Sequence, residues 1–182
     1  MSKFFDCVRT DLFHTMTQLQ VDGCNALLDA SAELPLTWRA YLLATSFHET
    51  AQTMQPITER GGRSYFDKYD AGTKLGAMLG NTQPGDGFLF RGRGYVQLTG
   101  RSNYARASKE VGVDLIAAPD RALEAQLAAK IAILGMSEGW FTGKKFADYL
   151  PGNYTAARRI INGTDRAEMI AGYAGLFEKA LS

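Results

Sequence analysis

Two nearby glutamates are the side chains of this sequence best suited to acid–base chemistry. Glu49 ends the apolar run "LPLTWRAYLLATSFHE", where helical spacing places it on the same stripe as Leu42. Apolar surroundings disfavour a charged carboxylate, so Glu49 is expected to keep a proton near neutral pH. Glu59 follows in "TERGGRSY" beside Arg60 and Arg63, and cationic neighbours and solvent favour its ionised form. One protonated and one ionised carboxyl group are the acid and the base that hydrolysis of an acetal requires.

Each glutamate also has an ordinary structural explanation. A glutamate on an apolar helix is often a helix-end residue or one partner of a buried ion pair, and a glutamate in a loop is often a solvated charge. His48 raises the question of a metal site, but the sequence contains no HExxH motif and His14 is the only other histidine. A metal site is therefore not expected.

The segment "FRGRGYVQLTGRSNY" supplies a polar surface that suits a sugar. Its Gly-Arg-Gly turn allows the backbone to approach a ligand closely. If Val96 and Leu98 face the core, strand alternation turns Gln97 and Thr99 to the other side, with the Asn103 amide further along. The alternative is that the glycines serve tight packing and the arginines are surface charges. Neither GxxxxGK[ST] nor GxGxxG is present, so a phosphate-binding loop is a poor fit.

The elements that must position these side chains are mostly helical. Apolar periodicity predicts helices at about 3–20, 22–32, 34–49, 70–80, 102–111, 120–140, 153–162 and 165–181. Residues 53–66 are predicted to be irregular, and 88–100 to be a short strand or an extended segment. The predicted fold class is mainly α, with a small β or extended element near the centre.

Length and composition indicate a single soluble domain, residues 1–182, with room for two lobes around a cleft. The formal net charge of +1 gives no strong field for nucleic acid. Two cysteines, Cys7 and Cys24, are too few for a disulfide scaffold and are expected to be buried thiols. The N-terminus lacks a signal-peptide pattern, and no run approaches the ~20 apolar residues of a membrane span. Synthesis in the cytoplasm without membrane insertion is therefore expected.

Several motifs in the correct order resemble family 19 glycoside hydrolases, which are chitinases and related phage endolysins. The motifs are "SFHET", the following "TER", "FRGRGYVQLTGRSNYARASKEVGVDL" with "APD" after it, and "ARRIINGTDR". The resemblance runs from about residue 38 to residue 178. It implies a lysozyme-like, mainly α-helical (α+β) fold with two helical lobes around a substrate cleft, and a monomer that needs no cofactor.

The resemblance also implies roles for individual residues. Glu49 matches the family's general acid, Glu59 matches its general base, and Thr99 replaces the serine whose hydroxyl helps to hold the attacking water. The family's mechanism is inverting, which needs about 6.5–9.5 Å between the two carboxyl groups. An arginine near the C-terminal helix links the carboxylates in the family, and Arg166 is the nearest candidate. Substrate contacts are predicted for His48, Tyr95, Gln97, Asn103, Asn162 and Arg166.

The implied substrate is a β-1,4-linked polymer that contains N-acetylglucosamine. "LGNTQPGDGFLFRGRGYVQLTGR" is more similar to the phage and bacterial lytic branch than to plant chitinases. Ala51-Gln52-Thr53 stands where the family's chitinases usually have a Gly-Gly pair. The prediction is an endolysin-like muramidase that acts on cell-wall peptidoglycan after holin-type release. The alternatives are a chitinase, or a non-catalytic glycan-binding or phage structural protein.

Overall fold

The computed structural model describes residues 2–182, which form two compact units. One unit contains the chain up to Gln55 and again from Ala132 to Ser182, and the other is Pro56–Ile131. The α-helices are α1 Ser2–Val8, α2 Gln18–Ala30, α3 Leu36–Glu49, α4 Lys74–Met78, α5 Asp86–Leu89, α6 Arg101–Val111, α7 Ala125–Glu138, α8 Tyr154–Ala157 and α9 Ala167–Leu181. The strands are β1 Ile57–Thr58 and β2 Arg93–Gly94. The predicted mainly α fold class is confirmed.

Helix α3 is the centre of the first unit. All its side chains from residue 40 to residue 47 are buried. The Phe47 ring lies edge-on to Phe13, Tyr173 and Phe177, at centroid distances of 5.0, 4.9 and 6.0 Å. Aromatic pairs of this kind stabilise a core beyond the area that they bury. The packing of helix α3 therefore fixes the position of its last residue, Glu49.

The N-terminal region differs from the predicted continuous helix. Helix α1 ends at Val8, a π-helical turn covers Arg9–Phe13, and His14 has a φ of 57° that ends the helical path. Helix α2 then begins at Gln18, where Thr17 and Gln20 form a capping box. The apolar stripe continues through the break, so the periodicity alone did not reveal it.

The two strands of the second unit form a small antiparallel sheet. Ile57 pairs with Gly94 and Thr58 with Arg93. Beyond this ladder, Arg93 and Leu98 exchange two backbone hydrogen bonds of 3.1 and 2.8 Å, which close a tight turn. Strand alternation is thus the wrong reason for the orientation of Gln97 and Thr99. The turn separates these half-buried side chains from the buried Val96 and Leu98.

The Arg93 side chain is buried and stabilises this turn, so it is not a surface charge. Its guanidinium is 2% exposed and donates to Asp120 at 2.8 Å, to the Tyr104 hydroxyl at 2.9 Å and to the Leu89 carbonyl at 2.9 Å. Charge-assisted hydrogen bonds are the strong ones in a protein interior. The hydrogen bonds of the buried Arg93 guanidinium therefore fix the position of the Gly-Arg-Gly turn.

The remaining short elements of the second unit are 3-10 turns at Arg63–Tyr69 and Pro119–Leu123. No helix in the described part of the chain is long and apolar enough to cross a membrane. Both cysteines are free thiols, with Cys24 buried and Cys7 half-buried. Burial raises the pKa of the Cys24 thiol to about 12.

Candidate active site

Glu49, in the first unit, is the partner of a buried arginine. Its side chain is 20% exposed, whereas that of Arg158 is 3% exposed. Arg158 Nη1 donates to Glu49 Oε1 at 2.5 Å, and Arg158 Nε donates to the Asp165 backbone carbonyl at 2.9 Å. Glu49 is thus both a helix-end residue and an ion-pair partner, and a guanidinium faces its carboxylate where the sequence predicted apolar surroundings.

The motif "ARRIINGTDR" presents Arg158 to Glu49. Asn153 caps α8 by accepting a hydrogen bond from the Ala156 N–H at 2.8 Å, and the chain tightens into a 3-10 turn over Arg158–Ile160. In this turn the Arg158 side chain points into the core, whereas Arg159 is exposed. The buried arginine and the Asp165 carbonyl together tie the loop that follows α8 to the end of α3.

Arg166, which sequence analysis selected as the arginine near the carboxylates, lies elsewhere. It is the N-cap residue of α9, with a φ of 57°, and its guanidinium is 59% exposed and 4.0 Å from Asp165. The arginine that contacts Glu49 is Arg158. The motif contains three arginines, Arg158, Arg159 and Arg166, and nearness to the C-terminal helix favoured Arg166. The burial of Arg158 depends on a change from α to 3-10 geometry, which periodicity does not reveal.

Glu59, in the second unit, is held by the edge of the small sheet. Its backbone N–H donates to the Gly92 carbonyl at 2.8 Å, which extends the β1–β2 ladder by one pair. Gly92 N–H donates to Glu59 Oε2 at 3.2 Å, and the Tyr69 hydroxyl donates to Oε1 at 3.3 Å. Within the described residues, neither Arg60 nor Arg63 forms a salt bridge with Glu59. The carboxylate is instead oriented by one backbone and one phenolic donor.

Three side-chain oxygens converge on the face of Gly92. A methyl group placed on this glycine would lie 2.6 Å from Gln97 Oε1, 3.2 Å from Glu59 Oε2 and 3.2 Å from Thr99 Oγ1. A side chain at this position would collide with these groups, so the sequence needs a glycine here. The convergence brings together Glu59, Gln97 and Thr99, as sequence analysis predicted for one site.

The local hydrogen bonds explain why these oxygens point to one place. Gln97 Nε2 donates to the carbonyls of Ile57 and Gly94, each at 3.3 Å, which directs its Oε1 away from them. The Thr99 hydroxyl donates to the Gln97 carbonyl at 2.9 Å. Asn103 Nδ2 in turn donates to the Thr99 carbonyl at 2.8 Å. Asn103 therefore supports the cluster from the first turn of α6.

Tyr69 belongs to this site although sequence analysis did not select it. It ends the 3-10 turn Arg63–Tyr69 and is half-buried. Burial, followed by the negative charge of Glu59, raises the pKa of the Tyr69 hydroxyl. The hydroxyl therefore remains a hydrogen-bond donor across the neutral range. The sequence spacing from Glu59 gave no signal, because an irregular loop separates the two residues.

The other predicted contacts occupy varied positions. Tyr95 is fully buried and has no exposed surface for a ligand in this structure. His48 is half-buried in the last turn of α3. Asn162 is exposed, and its Oδ1 accepts a hydrogen bond from Gly163 N–H at 2.8 Å. Among residues 2–182, no group of three or more His, Cys, Asp or Glu side chains is placed to hold a metal ion.

Comparison with solved structures defines the class of fold. The chain is similar to a bacterial family 19 chitinase, with a TM-score of 0.62 and 20% identity over 100% of this chain and 93% of that one. It is also similar to chitinase C from Streptomyces griseus HUT6037, with a TM-score of 0.69 and 18% identity over 99% of this chain and 75% of that one. No protein-family model and no curated protein matches the sequence.

At this level of identity, the likeness establishes the fold. The protein has the fold of bacterial family 19 chitinases, and the predicted resemblance is confirmed at that level. A mutant of chitinase C gives the same result, with a TM-score of 0.65 and 19% identity over 99% of this chain and 75% of that one.

Proposed function

We propose that this protein is an inverting glycoside hydrolase that cleaves β-1,4 bonds of peptidoglycan. The observation that carries the proposal is the convergence of Glu59, Gln97 and Thr99 on the face of Gly92. A general base must be oriented and must have a second polar group beside it to fix the attacking water. The chitinase-like fold and the arginine-held Glu49 support the same reaction.

Glu59 acts as the base in this proposal. The Thr99 hydroxyl donates its hydrogen to the Gln97 carbonyl, so the lone pairs of its oxygen can accept a hydrogen bond from a ligand. A water on the face of Gly92 donates one hydrogen bond to Glu59 and one to Thr99 or Gln97. A lone pair of the water then remains for attack on the anomeric carbon. Glu59 takes the proton as the new C–O bond forms.

Glu49 acts as the acid in this proposal: it takes up a proton from solvent when a glycan binds and passes it to the leaving glycosidic oxygen. Transfer of that proton returns Glu49 to the carboxylate that pairs with the buried Arg158 guanidinium at 2.5 Å. The same contact fixes the orientation of the carboxyl group, which proton transfer needs. Arg158 is therefore a positioning residue for Glu49.

Peptidoglycan is favoured because the central motif is more similar to the lytic branch of the family than to plant chitinases. Cytoplasmic synthesis followed by holin-type release to the cell wall, and action as a monomer, complete this proposal. Chitin is the second candidate, because the similar solved structures are named as chitinases.

The test compares the wild type with Glu49→Gln and Glu59→Gln. Each protein is assayed for lysis of permeabilised Gram-negative cells and for hydrolysis of purified peptidoglycan and of chito-oligosaccharides. Each substitution should lower turnover by roughly 10²–10⁴-fold and leave glycan binding unchanged. Glu110→Gln, at an exposed position on α6, is the matched control. Proton NMR of the first product anomer tests inversion.

An active Glu49→Gln variant would refute the acid assignment. Glycan binding by the wild type without product release would instead support the non-catalytic glycan-binding or phage structural alternative. Mass spectrometry of the products from peptidoglycan and chitin, compared side by side, decides between the two substrates.

A further inference from the structure

Two arginines share one aromatic ring on the surface of the second unit. Arg91 Cζ lies 4.2 Å and Arg63 Cζ lies 5.2 Å from the centre of the Phe88 ring. Arg91 is half-buried and its Nη1 donates to the Phe88 carbonyl at 2.7 Å, whereas Arg63 is exposed. We name Arg63, Phe88 and Arg91 the Phe88 cluster. It places two guanidinium groups against one aromatic ring.

The arginines of the Phe88 cluster are not paired directly with carboxylates. Within the part of the chain that the structure describes, neither Arg63 nor Arg91 forms a salt bridge. Partial burial, followed by the nearby charge of Arg93, lowers the pKa of the Arg91 guanidinium, and the Asp120 carboxylate, which pairs with Arg93, opposes this shift. A guanidinium carries several N–H donors, so Arg63 and Arg91 both retain donors for an anion from outside the chain. The ring contacts keep the two guanidinium groups in place for such an anion.

A chain of aromatic contacts joins the Phe88 cluster to the candidate base. Phe88 packs against Phe66 with a centroid distance of 5.7 Å, and Phe66 packs against Tyr69 at 6.3 Å. Tyr69 donates its hydroxyl proton to Glu59. Phe66 is buried, so the packing between Phe88 and Tyr69 is rigid.

A further cation, Lys68, lies in the same 3-10 turn as Arg63. Lys68 Nζ lies 3.5 Å from the centre of the Tyr65 ring and 4.7 Å from that of Tyr69. Both Lys68 and Tyr65 are exposed. Exposed rings beside cations suit a ligand that combines sugar C–H faces with negative groups.

We infer that the Phe88 cluster binds carboxylate groups of an anionic glycan and so selects muramic acid-containing strands over neutral chitin. This inference rests on the proposed function. The lactyl group of a muramic acid unit extends into a carboxylate or into a peptide that carries carboxylates, whereas the acetamido groups of chitin are uncharged. A guanidinium pairs with a carboxylate through two parallel hydrogen bonds, so two arginines that contact one ring suit such a substrate.

The test uses three substrates that differ in charge. They are soluble peptidoglycan strands with free stem carboxylates, the same strands after amidation of those carboxylates, and chito-oligosaccharides. The variants are Arg63→Gln alone and Arg63→Gln combined with Arg91→Gln. Lys109→Gln, which removes an exposed cation on α6 of the same unit, is the control. Thermal melting establishes that each variant is folded, and Arg63 is exposed enough that its replacement leaves the fold intact.

We expect kcat/KM on the carboxylated strands to fall roughly tenfold for each arginine removed, mainly through KM. On amidated strands and chito-oligosaccharides, the variants should match the wild type, and Lys109→Gln should match it on all three. An equal loss on all substrates would overturn the inference, since it would indicate a general structural role. Equal wild-type rates on carboxylated and amidated strands would overturn it as well.

Glycan binding measured in variants that also carry Glu49→Gln tests this inference separately from the proposed function. Titration calorimetry with carboxylated and amidated strands needs no turnover. If no form of the protein hydrolyses any glycan, the proposed function fails. Weaker binding of carboxylated strands after loss of the arginines would still uphold the anion site. Equal binding of the two kinds of strand would overturn the inference whatever the activity.

Discussion

Replacing Arg158 by methionine should destabilise the first unit by about 3 kcal/mol. Breaking a buried ion pair by removal of one partner typically costs about 3–5 kcal/mol, because the other charge remains without compensation. Arg158 is 3% exposed but Glu49 is 20% exposed, so water offsets part of this penalty and the lower end of the range applies. In a chain of this size, that loss lowers Tm by roughly 6–12 °C.

Urea unfolding at pH 7 followed by tryptophan fluorescence provides the measurement. Both tryptophans, Trp38 and Trp140, lie in the first unit, so the signal reports on the unit that contains the ion pair. Arg159→Met is the matched control, because that arginine is adjacent and exposed. It should change the free energy of unfolding by less than about 0.5 kcal/mol.

A double-mutant cycle with Glu49→Gln tests whether the ion pair is the cause. Removing both charges leaves no uncompensated carboxylate, so the double variant should be more stable than the sum of the single effects predicts. The expected coupling energy is about 1.5–3 kcal/mol. Additive effects, or a loss below about 1 kcal/mol for Arg158→Met, would refute the assignment of Arg158 as the residue that holds Glu49.

Three other predictions concern the second unit. Tyr69→Phe should lower kcat about tenfold at unchanged KM in steady-state assays, because the candidate base loses its phenolic donor; an unchanged kcat would contradict this. Gly92→Ala should reduce activity strongly, since the new methyl group would lie 2.6 Å from an oxygen of the site, whereas Gly62→Ala, with nothing within 4 Å, should be silent in the same assay. The hydrogen bond from Arg101, more than any other contact, holds the pKa of Asp86 below its ordinary value of 3.8. The Asp86–Arg101 pair therefore stabilises the fold above pH 3.8, and this stabilisation is lost as the pH falls through the lower pKa that Asp86 has in the folded state. Asp86→Asn should remove this acid sensitivity in urea unfolding at pH 7 and pH 3, and an unchanged pH dependence would exclude the pair as its source.

The sequence predicted the helical elements well where a cap or a dense apolar stripe was present. Helix α3 and helix α9 are close to their predicted ranges, because each carries a long apolar face that can only be buried. The break between α1 and α2 was missed, since the apolar spacing continues through it while the backbone does not.

The site was predictable where short motifs decide it and unpredictable where distant segments meet. Glu59, Gln97 and Thr99 come together as expected because a two-strand ladder and a tight turn place them. The contacts of Arg158 with Glu49 and of Tyr69 with Glu59 depend on the packing of turns with irregular geometry. No local pattern encodes the direction of such side chains.

Gln97 illustrates how stability and activity can favour different residues at one position. Its φ of 59° is a conformation in which glycine is less strained, by roughly 1–2 kcal/mol. Selection for heat resistance alone would therefore tend to replace it with glycine, and the replacement would delete an oxygen of the site. A thermostable version of this protein is better sought at surface positions that leave residue 97 untouched.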